Sequence, residues 1–148
     1  MRVLREVAVA APPAALWTFL WDVPRVMGCL PGCVEAREVE RERRYTARMK
    51  QRVGPISLDV PLDVEIVEAD APRRLVLKAS GRDRLVGAEI VVRVALDCAP
   101  SDAGSALRID VDGQVLGRLG SLGHGVIQRK AEEAIEEFAA RASRAVAA

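Results

Sequence analysis

Four groupings in the chain carry residue types that could do chemistry. Cys29-Leu30-Pro31-Gly32-Cys33 sets two thiols around a turn. A closed tetrahedral metal site needs four ligands, and the chain adds only Cys98 and one histidine, His124. A redox thiol would need an electropositive setting. The plainer reading is a turn joining a helix to a strand, and no metal is expected. Gly117-Arg118-Leu119-Gly120-Ser121-Leu122-Gly123-His124-Gly125 stands between a strand pattern and a helix pattern, where phosphate-binding loops stand. Its spacing does not match the dinucleotide fingerprint, and it has no Gly-Lys-Ser/Thr. Glycines inside a helix cost about 1 kcal/mol each against alanine, so they call for a reason. The expected one is close approach of the helix start to a strand or a ligand.

Ser121 and His124 are three apart and could share a helix face as nucleophile and base. Such a pair also needs an orienting carboxylate and an oxyanion hole. Asp110 and Asp112 fall on the outer face of a strand, so no catalytic residue is assigned and the chain is expected not to be an enzyme. Gln51 is the polar member of an otherwise apolar strand face. It either meets the polar end of a ligand or is turned to water by a bulge at Val53-Gly54-Pro55.

The composition narrows the partners. Lys plus Arg number 22 and Asp plus Glu 21, so the net charge is +1 and no basic surplus argues for nucleic acid. Aromatics at 3% are too few for base-stacking platforms. No apolar run approaches the roughly 18 residues that span a bilayer. The charged start Met1-Arg2-Val3-Leu4-Arg5-Glu6 does not read as a signal peptide. We expect a cytoplasmic protein with reduced thiols, forming one domain over residues 1–148.

The elements that would position these groups follow from periodicity. Arg2 to Val9 reads as a strand. Pro12-Pro13 opens a helix, with proline in the first turn. Asp22 is expected to cap a short second helix, Val23 to Met27, and Leu30-Pro31-Gly32 to turn. From there to Gly117 the period is two. Tyr45, Ala47, Met49, Gln51 and Val53 face one way. Ile56, Leu58, Val60, Leu62, Val64 and Ile66 share that side, as do Ile90, Val92, Val94 and Leu96, and Leu107, Ile109, Val111 and Val115. Clean one-sided alternation marks antiparallel strands with one wet face. Connections are expected at 69–72, 81–84 and 100–104. From Leu119 to Ala142 the period becomes 3.6, giving a helix about 36 Å long that must lie on the sheet. The expected architecture is α+β, a helix-grip: a curved antiparallel sheet of about seven strands around a long C-terminal helix, with two short helices after the first strand.

Four stretches carry a family resemblance: Trp17 to Asp22, Cys29 to Cys33, Val53-Gly54-Pro55, and Val111-Asp112 followed by Val115 to Gly123. In this order, over most of the chain to Ala142, they resemble the carbon monoxide dehydrogenase G-subunit family, within the START-like superfamily of polyketide cyclases and lipid-transport proteins. Gln51 departs from the family pattern, where a small residue is expected. Gly120 and Gly125 look like additions to it. The resemblance implies a binding protein associated with molybdenum-type carbon monoxide dehydrogenase or a related hydroxylase. It also implies handling of a quinone or other lipid and peripheral contact with the inner face of the membrane.

The reading is therefore an accessory protein with an apolar small-molecule ligand and no covalently bound cofactor. Its cavity is expected to be lined by Met49, Gln51, Ile56, Val60, Ile90, Val92, Val111, Val115, Leu119, Leu122 and Val126. Two alternatives stand beside it. A cyclase-type enzyme would need convergent polar residues inside the cavity, and a protein-interaction module would have a filled core.

Overall fold

The computed structural model describes every residue except Arg84, Val86 and Ala148. Seven strands form one antiparallel sheet: β1 (Arg2–Val9), β2 (Cys33–Glu40), β3 (Arg44–Val53), β4 (Ile56–Asp70), β5 (Arg74–Asp83), β6 (Ala88–Ser101) and β7 (Gly104–Gly117). Their order is β1-β7-β6-β5-β4-β3-β2. Two helices, α1 (Pro13–Trp21) and α2 (Val23–Gly28), follow β1, and α3 (His124–Ala147) ends the chain. This is the expected helix-grip.

The period-two pattern sets the register. Val53 pairs with Ile56 and Met49 with Val60 across the β3–β4 hairpin. Val92 pairs with Ala79 on one side and Gly113 on the other. One face of the sheet is therefore mostly apolar, interrupted by Arg5, Gln51 and Asp83. Leu16, Phe19 and Leu20 of α1 and Val23, Val26 and Met27 of α2 are buried in one core with Leu75, Leu96, Leu107 and Ile109. That core fills the end of the inner face near α1 and α2.

Three local expectations are corrected. β5 continues through Gly81 to Asp83, so the turn does not begin at Gly81; Arg84 lies outside the described residues. Gly81 serves close approach: a Cβ there would stand 2.6 Å from both the Pro61 carbonyl and Val60 Cγ1. Asp22 occupies the junction of α1 and α2 but makes no capping hydrogen bond with its side chain. Its backbone serves instead, the N–H donating to Phe19 O at 3.1 Å and the carbonyl accepting from Val26 N at 3.1 Å.

The last helix begins at His124, not Leu119. A short 3₁₀ turn, Gly120–Leu122, precedes it, and Gly123 breaks the two apart at φ 98° and ψ 152°. That conformation is open to glycine and strained for any other residue. From His124, α3 lies chiefly along β1. Gln128 Nε2 donates to Arg2 O at 2.7 Å and Ser143 Oγ to Ala8 O at 3.2 Å. These bonds satisfy carbonyls on an edge strand that would otherwise invite pairing with another chain. Among the described residues no helix is long and apolar enough to cross a membrane.

Candidate functional site

The inner face is covered unevenly. At the α1–α2 end the side chains are sealed: Leu75, Leu107 and Ile109 are each 0% exposed. Toward the other end, Met49, Ile56, Ile90, Val92, Val115 and Leu122 pack against the core yet remain only partly buried. The cause is the path of α3. It follows β1 and buries Phe138, Ala139 and Ala142 of its second half. Its first turns stay open, with Gly125 and Val126 exposed. The apolar inner face is thus left partly uncovered between the central strands and the start of α3, and this uncovered surface is taken as the candidate concavity.

The expected lining residues divide into three sets. Met49, Gln51, Ile56, Ile90, Val92, Val115 and Leu122 are half-buried, on one continuous side of the sheet and the turn after it. Ile90 and Val115 are direct cross-strand partners. Val60, Val111 and Leu119 are buried at 0%, 4% and 3% exposure and belong to the packed core behind that surface. Val126 is 41% exposed on the first turn of α3.

Gln51 keeps its inner register, opposite Leu58, and no bulge turns it to water. Its Nε2 donates to the carbonyl of Pro31 in the turn before β2. Close packing of that turn needs Gly32, at φ 81°, where a Cβ would fall 2.0 Å from Lys50 O. The Cys29–Cys33 segment is thus a structural turn held against β3. Its thiols are free and buried, as is Cys98. Burial pushes all three above the ordinary thiol range; at Cys29, Arg25 and Arg141 oppose the shift in part.

Ser121 and His124 do not share a helix, because the break at Gly123 separates them. Ser121 Oγ donates to Arg118 O at 2.6 Å, and His124 is exposed. The glycine segment does make the expected close approaches at Gly117 and Gly120. A Cβ on Gly117 would fall 1.8 Å from Gly87 O, and one on Gly120 2.7 Å from Val115 O. Gly123 and Gly125 have open space around them.

Periodicity reasoning passed over two polar groups in the inner register. Arg5 alternates with Val3, Val7 and Val9, and that intrusion of a charge was the available signal. Its guanidinium reaches across to Glu136 of α3 at 2.7 Å. Tyr45 is 2% exposed at the sealed end. Burial first, then Glu38 and Glu42, raise its phenol above the usual range and keep it neutral.

Two further depressions lie on the outer face. One of about 620 Å³ is lined by residues including Arg37, Thr46, Arg48, Asp63 and Arg82. Another of about 430 Å³ is lined by residues including Arg44, Glu65 and Lys78. Both are open and charged, and several of the charges are already matched: Arg48 with Asp59 at 2.9 Å and Arg82 with Glu89 at 3.1 Å. The inner concavity is the better candidate, because apolar area withheld from full burial is the usual basis of small-molecule sites.

The carbon monoxide dehydrogenase G-subunit (CoxG) family model matches residues 6–147. A conserved protein from Geobacillus kaustophilus superposes with a TM-score of 0.87 at 16% identity, over 99% of this chain and 95% of that one. A START superfamily protein from Mycobacterium smegmatis gives 0.74 at 12% identity, over 98% and 96%. The AHSA1 protein from Silicibacter pomeroyi gives 0.66 at 15% identity, over 99% and 98%. These three likenesses are of fold. No curated protein matches in sequence.

Proposed function

The chain belongs to the carbon monoxide dehydrogenase G-subunit (CoxG) family, and from that premise we propose that it is a non-enzymatic accessory protein that carries an apolar ligand, a quinone or another lipid. Family and fold together support a ligand-binding accessory protein in general. The observation that carries the finer reading is the row of half-buried aliphatic side chains at Met49, Ile56, Ile90, Val92, Val115 and Leu122. A site of this composition selects apolar area over hydrogen bonding, which suits an isoprenoid chain or an acyl chain. Burying such area contributes about 25 cal/mol per Å².

The cyclase alternative needs several polar groups converging on the ligand, and among the described residues this half of the inner face offers Gln51 and the buried Asp83. The packed-module alternative needs a filled interior, and this end of the sheet is only partly covered. Family membership supports a carbon monoxide dehydrogenase-type hydroxylase as the proposed partner, with the proposed location cytoplasmic or peripheral at the inner face of the membrane. No covalently held cofactor enters this reading.

The test is native mass spectrometry of freshly purified protein, looking for a lipid of defined mass. A soluble quinone analogue at 100 times its dissociation constant should stabilise the fold by about 2.7 kcal/mol. Ile90→Trp should fill the concavity and remove that gain while the protein still melts cooperatively. Absence of co-purified lipid, together with no shift from quinones or fatty acids, would sink the carrier reading.

A further inference from the structure

The two ends of the sheet differ in what their connections expose. At one end lie the turns 41–43, 71–73 and 102–103, whose residues include no leucine, isoleucine, valine or aromatic side chain. Charges beside them are paired, Arg43 with Glu40 at 3.3 Å and Arg73 with Asp70 at 3.2 Å. At the other end lie the β3–β4 turn, the β5–β6 turn and the β7–α3 connection. These three come together. Leu122 Cδ1 stands 3.9 Å from where a Cβ on Gly54 would be, and Arg118 N donates to Gly87 O at 2.7 Å. Each exposes an apolar residue on it or beside it. Leu85, in the β5–β6 turn, is 95% exposed, and Pro55, Leu116 and Val126 are exposed as well.

The charges left unmatched at this end are positive. The side chains of Lys50, Arg52 and Arg118 are exposed and make no hydrogen bond or ion pair among the described residues. The nearby acids are engaged or covered: Asp59 meets Arg48 at 2.9 Å, Glu89 meets Arg82 at 3.1 Å, and Asp83 is buried. Apolar tips among unmatched cations fit a bilayer with anionic head groups. A folded partner needs a continuous complementary surface, which a leucine standing clear of its neighbours does not offer. Fluid acyl chains solvate such a side chain whatever stands beside it.

We propose that this end of the sheet is a membrane-docking surface, with Leu85 entering the interfacial layer and Lys50, Arg52 and Arg118 meeting anionic head groups. The half-buried Ile56, Ile90, Val115 and Leu122 lie at the same end. A docked protein therefore brings the candidate concavity next to the layer from which an apolar ligand is drawn. The contact stands on the exposed residues alone; the transfer it serves rests on the carrier reading.

The experiment sediments the full chain with vesicles of phosphatidylcholine alone and of equal parts phosphatidylcholine and phosphatidylglycerol. The protein should bind the mixed vesicles more tightly, and salt should weaken that binding. Leu85→Ser should lower partitioning into mixed vesicles about tenfold, and Arg118→Gln about fivefold, with both variants melting like the parent. Val39→Ser, at an exposed residue near the opposite end, should change nothing. Failure to bind either vesicle, or an equal loss from Val39→Ser, overturns docking at this end and leaves the exposed tips to a protein partner. Equal, salt-insensitive binding to both vesicles overturns the role of the cations. Co-purified lipid in a protein that ignores vesicles sinks the docking and leaves the carrier reading standing; vesicle binding by a protein that retains no lipid does the reverse.

Discussion

Arg5 and Glu136 join the first strand to the last helix: Nε of Arg5 is 2.7 Å and Nη2 3.0 Å from the two oxygens of the Glu136 carboxylate. They are 131 residues apart in the chain. The bidentate geometry is the strong form of such a pair. It ties the middle of α3 to β1.

The pair makes a pH-dependent prediction. The hydrogen bond from Arg5, then its charge, hold the Glu136 carboxyl below the usual carboxylate range. A depressed folded value contributes stability above the unfolded pKa and loses it as pH falls through the folded one. Glu136→Gln should therefore lower the unfolding midpoint slightly near neutral pH, and less in high salt, because the pair is solvent-exposed. The gap between variant and parent should close in acid. A gap that persists once the carboxyl is protonated would show that the variant acts through packing.

The glycines of the β7–α3 connection should separate into two classes. At Gly117, φ is 77° and a Cβ would collide with the Gly87 carbonyl. Gly117→Ala should cost about 2–4 kcal/mol in denaturant unfolding, from strain and backbone displacement. Gly125 sits in the first turn of α3 with nothing within 4 Å. Gly125→Ala should stabilise by about 0.5 kcal/mol. Equal effects at the two positions would contradict the geometry.

Ser105 carries the opposite expectation for a buried polar residue. It is 0% exposed, and its hydroxyl has no hydrogen-bond partner among the described residues. Ser105→Ala removes the desolvated group with little change in volume. It should stabilise by about 0.5–1 kcal/mol. A loss of more than about 1 kcal/mol would reveal a bonded water or partner at this site.

The thiols should be protected by the fold. Desolvation is the main cause of the raised values at Cys29, Cys33 and Cys98. Alkylation near pH 8 should be slow in native protein and complete in denaturant. A raised folded value also means stability present below the unfolded thiol pKa and lost as pH rises through the folded one. The unfolding free energy should thus decline on the alkaline side, and less steeply in Cys33→Ser. Rapid native labelling of Cys33 would place it at an accessible, activated position.

Period two in Tyr45–Val53 and Ile56–Ile66 determined strand faces by itself, because adjacent side chains must point to opposite sides of a pleated sheet whatever surrounds it. The 3.6 period of the last segment likewise determined that a helix must cover part of that sheet. Its true start was hidden, since Leu119 and Leu122 continue the apolar stripe across a break made by the backbone angles of Gly123. The candidate site divides along the same line. Membership of the apolar face was legible for all of Met49, Ile56, Val60, Ile90, Val92, Val111 and Val115. Which of them meet open space was not, because Val60 and Val92 have the same pattern and the same side chain. Only the tertiary packing around each leaves Val60 fully buried and Val92 half-covered. Burial is a property of what packs on a residue from elsewhere in the chain, and local periodicity carries no record of that distance.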